Sequence, residues 1–144
     1  MMPVMNAQAY DQYKKTNIES VGLGKLLLML FEGAVRDIDN AKEAILNKDI
    51  NLAHNEIIKT QNIILELISS LNMEYEISNQ IFNMYEFMYY QLVIANAQKD
   101  IKVLDEVRDL LCEFHDIWEE ASKKAGIMKA QGETLPSQGL NIRG

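Results

Sequence analysis

The sequence predicts an all-α fold, an antiparallel up-down-up-down four-helix bundle, on three observations. Large apolar residues recur at steps of three and four along four successive stretches. Short polar breaks separate those stretches. No segment alternates polar and apolar residues with the period of two that marks a strand. Only 7 glycines and 2 prolines stand in 144 residues, too few for short strands joined by tight turns.

The first stripe runs Leu23, Leu27, Leu30, Phe31, Ala34, Ile38, Ala41 and Ile45, with Asp37, Asp39, Lys42 and Glu43 beside or opposite it. Asn47-Lys48-Asp49 breaks it. Ala53, Ile57, Ile64, Leu67, Ile68 and Leu71 form the second stripe, closed by Asn72 to Glu76. Ile77, Ile81, Met84, Tyr85, Met88, Leu92 and Ala95 form the third, closed by Asn96 to Asp100. Ile101, Leu104, Val107, Leu111, Phe114, Trp118 and Ala121 form the fourth. Helices of roughly 20–25 residues with such short connections pack as antiparallel neighbours, and each is roughly 30–38 Å long.

The ends differ from this pattern. Residues 1–17 are polar but carry Val4, Met5, Tyr10 and Tyr13, and are expected to form a mobile cap or docking segment. Residues 18–125 form the bundle domain. Residues 126–144, with Gly132, Pro136 and Gly139, are expected to be a flexible tail.

Composition narrows the function. The chain is 48% hydrophobic and 24% charged, enough to fill a core. Its net charge of -7 argues against a nucleic-acid partner, whose phosphates need a basic face. One cysteine excludes a disulfide framework and fits a reducing compartment. The start carries no secretory signal, and the longest apolar run, Leu26 to Phe31, is too short for membrane insertion. A cytoplasmic protein is expected.

Catalytic patterns are missing. A di-iron bundle site needs Glu-x-x-His pairs, but Asn51 and Cys112 stand three residues before His54 and His115. Cys112 and His115 could share a helix face, yet a stable zinc site usually takes four such ligands. His54-Asn55-Glu56 lacks the cysteines of a zinc deaminase. Gly22-Leu23-Gly24-Lys25-Leu26 has neither the glycine spacing nor the hydroxyl of a phosphate loop. The expectation is a binding protein with no catalytic residue, no metal and no cofactor, not an enzyme.

What stands out is apolar surface beyond the core stripes. At about 100° per residue, Ile58 and Leu65 lie about 110–130° from the centre of the second stripe. Phe82, Tyr89 and Val93 make a further stripe on the third helix, offset by about 100° from its core centre, and Phe87 with Ile94 makes another on the far flank. Such residues either widen a generous core or form a groove for a partner. A self-associating structural bundle with no client is the alternative function; a monomer or weak homodimer is expected. The tyrosines and Met5 of the first segment could cap the groove.

Five blocks then point to a family. Ala9-Tyr10 with Tyr13, Leu26 to Ala34, Lys59 to Leu67, Met84 to Tyr89 with Leu92 and Ala95-Asn96, and Leu104 to Val107 with Trp118 follow in order. In this the sequence resembles the FliS family of flagellin-specific export chaperones over about Ala9 to Trp118. Two positions depart from the family pattern. Ser20-Val21-Gly22-Leu23 replaces a hydroxyl-and-proline helix start, and Tyr90-Gln91 replaces two arginines. The resemblance implies a cytoplasmic chaperone that binds the disordered C-terminal segment of flagellin, prevents early polymerisation and delivers it to the flagellar type III export apparatus. Ile58, Leu65, Phe82, Tyr89 and Val93 are then the expected flagellin contacts. Tyr10 and Tyr13 match the part of the family that docks transiently on an export-gate membrane protein.

Overall fold

The structure, a computed structural model, describes residues 22–130. The expected cap and docking positions Tyr10 and Tyr13, and residues 131–144 of the expected tail, lie outside the described residues, whereas residues 126–130 continue the last helix. Four helices follow one another: α1 (Gly22–Leu46), α2 (Ile50–Ser69), α3 (Glu76–Gln98) and α4 (Ile101–Ala130). Each packs on its two neighbours in a ring, α1 beside α2 and α4, and α3 beside α2 and α4, with no close backbone approach across the diagonals. This is the expected four-helix bundle. No helix among the described residues is long and apolar enough to cross a membrane.

Two of the connections use one device. Lys48 and Lys99 adopt the left-handed conformation, with φ of 63° and 51°. Reversing there lets the next amide reach back: Asp49 N–H donates to the Ala44 carbonyl at 2.8 Å, and Asp100 N–H to that of Ala95 at 3.1 Å. The same two aspartates then start the next helix. Asp49 Oδ1 accepts from Leu52 N–H at 3.1 Å, and Asp100 Oδ1 from Lys102 N–H at 2.9 Å. Because α3 runs on to Gln98, the last break is shorter than the Asn96 to Asp100 that the sequence suggested.

The expected stripes supply most of the core, although Met84 and Ile101 are only partly buried and the Leu23 side chain lies outside the described residues, and one position is corrected. Ile77 is 46% exposed, whereas Ser78 is buried. In the first turn of α3 the inward position falls to Ser78, whose hydroxyl donates to the Asn72 carbonyl at 2.6 Å. That bond holds the α2–α3 connection against the helix start and rotates Ile77 outward.

Aromatic rings from three helices meet at the centre. Phe114 of α4 lies 6.2 Å from Phe31 of α1 in a stacked arrangement, and 5.6 Å from the tilted ring of Tyr85 on α3.

Small residues draw the other helices onto α1. Gly33, Ala34, Ala41 and Ala44 are buried on it, and a methyl group added at Gly33 would stand 3.5 Å from Ile63 of α2. At Gly24 an added Cβ would fall 2.2 Å from Ser122 Oγ of α4. By contrast α3 presents Tyr85, Met88 and Leu92 inward and packs less closely on its neighbours. The side chains that α3 turns inward are thus among the bulkiest of the core.

Candidate functional site

The flanks of α2 and α3 that face each other are fixed by one hydrogen bond. The Asn96 side-chain amide donates to His54 Nδ1 at 3.0 Å. Helical periodicity places the remaining residues from that pair. Along α2, Ile58 follows His54 by four and Leu65 follows Ile58 by seven. Along α3, Val93, Tyr89 and Phe82 precede Asn96 by three, seven and fourteen. By this spacing all five lie on the flanks of α2 and α3 that the His54–Asn96 bond marks.

Their burial differs. Leu65 is 46% and Val93 42% exposed, whereas Ile58, Phe82 and Tyr89 are half-buried. Tyr89 also packs against the core, and its ring meets that of Tyr90 edge-on at 6.2 Å. These flanks thus carry side chains tied into the bundle beside others open to solvent. Gln61 lies on the same ridge, three residues after Ile58 and four before Leu65, and is buried. Sequence reasoning passed over it because it is polar; its spacing from both neighbours was the available signal.

The opposite seam, between α1 and α4, is charged instead. Arg108 donates through Nε and Nη2 to the two carboxylate oxygens of Asp39, at 2.7 and 3.1 Å. Lys42 pairs with Asp105. His115 lies between Glu32, 2.9 Å from Nε2, and Asp116, 3.1 Å from Nδ1. Burial pushes the imidazole pKa down, but hydrogen bonds to Glu32 and Asp116 outweigh it, and the net shift is upward. Beside these groups is a cavity of about 390 Å³ lined in part by Val35, Arg36 and Cys112.

Ligand atoms of His115, Asp116 and Glu119 lie within 4.8 Å of one another. Both nitrogens of the imidazole already meet carboxylates, so it serves as a clasp between helices. Cys112 is half-buried, its sulfur 3.9 Å from an Arg108 nitrogen. Cys112 and His115 do share the α1-facing flank, engaged with different partners.

On the α1–α2 seam, Lys59 reaches both Asp37, at 3.6 Å, and Glu56, at 3.4 Å. Burial raises the Asp37 carboxyl above its usual range, against the opposing pull of Lys59. Charge and hydrogen bonds cross the seams around α1, whereas the flanks of α2 and α3 that face each other carry mainly apolar side chains. That arrangement suits the docking of an amphipathic helix or an extended apolar segment.

Comparison with known proteins agrees along most of the chain. A family described as Flagellar protein FliS matches residues 6–125. The flagellar secretion chaperone FliS of Bacillus subtilis (strain 168) is 38% identical over 112 residues, 78% of this chain and 84% of that protein. Its counterpart from Vibrio cholerae is 29% identical over 114 residues, 75% of this chain and 84% of its own length. That of Salmonella typhimurium is 26% identical over 132 residues, 87% and 98% respectively. The chain belongs to the FliS family.

Proposed function

We propose that this protein is a cytoplasmic chaperone of flagellar export that binds the disordered C-terminal segment of flagellin along the α2–α3 groove. The binding holds flagellin unpolymerised and delivers it to the flagellar type III export apparatus. The observation that carries this reading is the run of partly exposed apolar side chains along the neighbouring flanks of α2 and α3, in a chain whose relatives are flagellar secretion chaperones. Ile58, Leu65, Phe82, Tyr89 and Val93 supply apolar area that the bundle covers only in part. An amphipathic client helix covers it with residues at steps of three and four.

Ordering a disordered client costs about 2–5 kcal/mol or more, so the contact has to be long. At ~1.5 Å per residue α3 offers a track of roughly 35 Å. Tyr10 and Tyr13, which precede the bundle, cap the groove when the client is absent and dock on an export-gate membrane protein when it is bound. No cofactor or covalent step enters this scheme: affinity and its release are the whole of the chemistry.

The test is calorimetric titration of a flagellin C-terminal peptide into the full-length protein, with circular dichroism on the mixture. One-to-one saturable binding, a negative heat-capacity change and a gain of helix are expected. Absence of binding to flagellin from the source organism overturns the reading. Removing residues 1–17 tests the cap, which requires tighter binding in their absence.

A further inference from the structure

The cavity of about 390 Å³ between α1 and α4 lies on the side of the bundle opposite the flanks assigned to the client. Phe31, Val35 and Cys112 line its apolar part. Phe31 is fully buried and Val35 packs against the core, so the cavity opens onto the hydrophobic wall of the bundle. A space of that size takes a pair of side chains or a small ligand, not a client helix. We propose that residues 139–143 of this chain, Gly139-Leu140-Asn141-Ile142-Arg143, fold back along α4 as a strap and seat Leu140 and Ile142 in this cavity.

Reach selects this segment. The last helix runs to Ala130, past the level at which Ser122 meets Gly24 near the start of α1. Cys112 and His115 stand about 15–18 residues before that end, roughly 23–27 Å back along the axis at ~1.5 Å per residue. Gly132, just beyond the helix, can reverse the chain at no steric cost. From there an extended run of about eight residues to Leu140 covers roughly 26 Å, which brings Leu140 level with the cavity. Leu135 falls short by the same measure. In extended backbone Leu140 and Ile142 share one side, while Asn141 and Arg143 take the other.

Charge favours the same segment. The cavity rim sets the carboxylates of Glu32, Asp39 and Asp116 against the guanidinium of Arg36 and the imidazole of His115, so it is acidic. Residues 139–143 carry no acid, and Arg143, the single base among residues 131–144, directly follows Ile142. Its long stem brings the guanidinium back to the rim while the two aliphatic side chains stay inside. The strap belongs to the α1–α4 seam and does not depend on the client reading. Flagellin-peptide affinity is expected to be the same whether or not the strap is seated.

Cys112 is half-buried, lines the cavity and is the one cysteine of the chain, so its thiol reports on whether the cavity is covered. The test is the rate at which iodoacetamide, a neutral reagent, alkylates it in the full-length protein and in Leu140→Asp, Ile142→Asp and Asn141→Asp. Circular dichroism confirms that every variant folds. Leu140→Asp and Ile142→Asp should each speed the reaction by about fivefold or more, because a carboxylate does not stay in an apolar cavity. Asn141→Asp adds the same charge on the outward side and should leave the rate as it is. The rates should not vary with protein concentration, since the strap and the cavity belong to one chain. Equal rates in every protein overturn the proposal and leave the cavity open or filled by something else. Equal acceleration by Asn141→Asp overturns it as well. So does protection that grows with concentration, which would make the occupant a segment of another molecule.

Discussion

Trp118 of α4 donates its indole N–H to the hydroxyl of Tyr85 on α3, and both residues are buried. The bond joins the helix that packs least closely to the helix that closes the bundle. Burial drives the Tyr85 pKa well above its ordinary value, so the hydroxyl stays neutral at any working pH. Tyr85→Phe keeps the ring against Phe114 and removes only the acceptor. The expected cost is about 1–2 kcal/mol for an indole N–H left unsatisfied. A lowered urea midpoint with an unchanged slope is the result to look for. Flagellin-peptide affinity should hold, since Tyr85 points into the core and not into the groove.

Lys48 offers the reverse case. Its φ of 63° is strained for a residue with a Cβ and free for glycine. Lys48→Gly should therefore stabilise the protein by about 0.5–1 kcal/mol, less the greater freedom glycine gives the unfolded chain. A melting temperature at or below that of the parent refutes the strain argument. Lys99 is a poorer site for the same change, because its ammonium also donates to the Asn96 carbonyl and side-chain oxygens, at 2.6 and 2.9 Å.

Close approach of α1 to α4 is tested at Gly24. A methyl group there would fall 2.2 Å from Ser122 Oγ but 3.3 Å from Ser122 Cβ. Gly24→Ala should forgo most of the helix-propensity gain of about 1 kcal/mol, because the serine must turn away. In a Ser122→Ala background the same change should recover it. The double-mutant cycle is expected to give a coupling of about 0.5 kcal/mol or more, and simple additivity would show that the helices stand further apart.

These packing features separate what was legible in the sequence from what was not. The stripes and the four helices follow from period alone, since the apolar residues repeat through three or more turns. Ile77 was misplaced because a first-turn residue has no repeat on its N-terminal side, and Ser78 took the inward position through a hydrogen bond to Asn72. Gln61 was missed because residue type was weighed above spacing. His115 between Glu32 and Asp116 was not legible either. Glu32 is 83 positions away, and only the packing of α1 on α4 brings it near.

That clasp carries a pH dependence whose sign follows from its geometry. Both nitrogens of His115 face carboxylates, so both contacts are satisfied only by the imidazolium. Its folded-state pKa is raised, so its stabilising contribution is full below the unfolded value of about 6.5 and fades as pH rises through the folded value. Melting temperature followed from about pH 5.5 to about pH 8 should fall by more in the parent protein than in a His115→Gln variant. The imidazole is partly exposed, so the difference should be small and should shrink in high salt. A variant with the same pH profile as the parent would remove the clasp from the account.

The groove prediction is sharpest at Leu65, the most exposed of the five lining residues that sequence reasoning selected. Leu65→Asp changes a rim position, and stability should move by no more than about 1 kcal/mol. Flagellin-peptide binding should nevertheless weaken by about tenfold or more, because the bound helix would have to bury a charge where it expects an alkyl group. Phe82→Asp should also abolish binding, but its half-buried ring makes that variant less stable and its loss of binding harder to assign. Ile117→Asp on α4 is the control: Arg108 and His115 turn the opposite flank of α4 toward α1, so Ile117 lies on the α3 side, away from the α2–α3 groove. Affinity lost at Leu65 and retained at Ile117 locates the client on the α2–α3 side of the bundle. The opposite pattern would move it to the α3–α4 side, and equal loss at both would mean that the client wraps α3 from either flank.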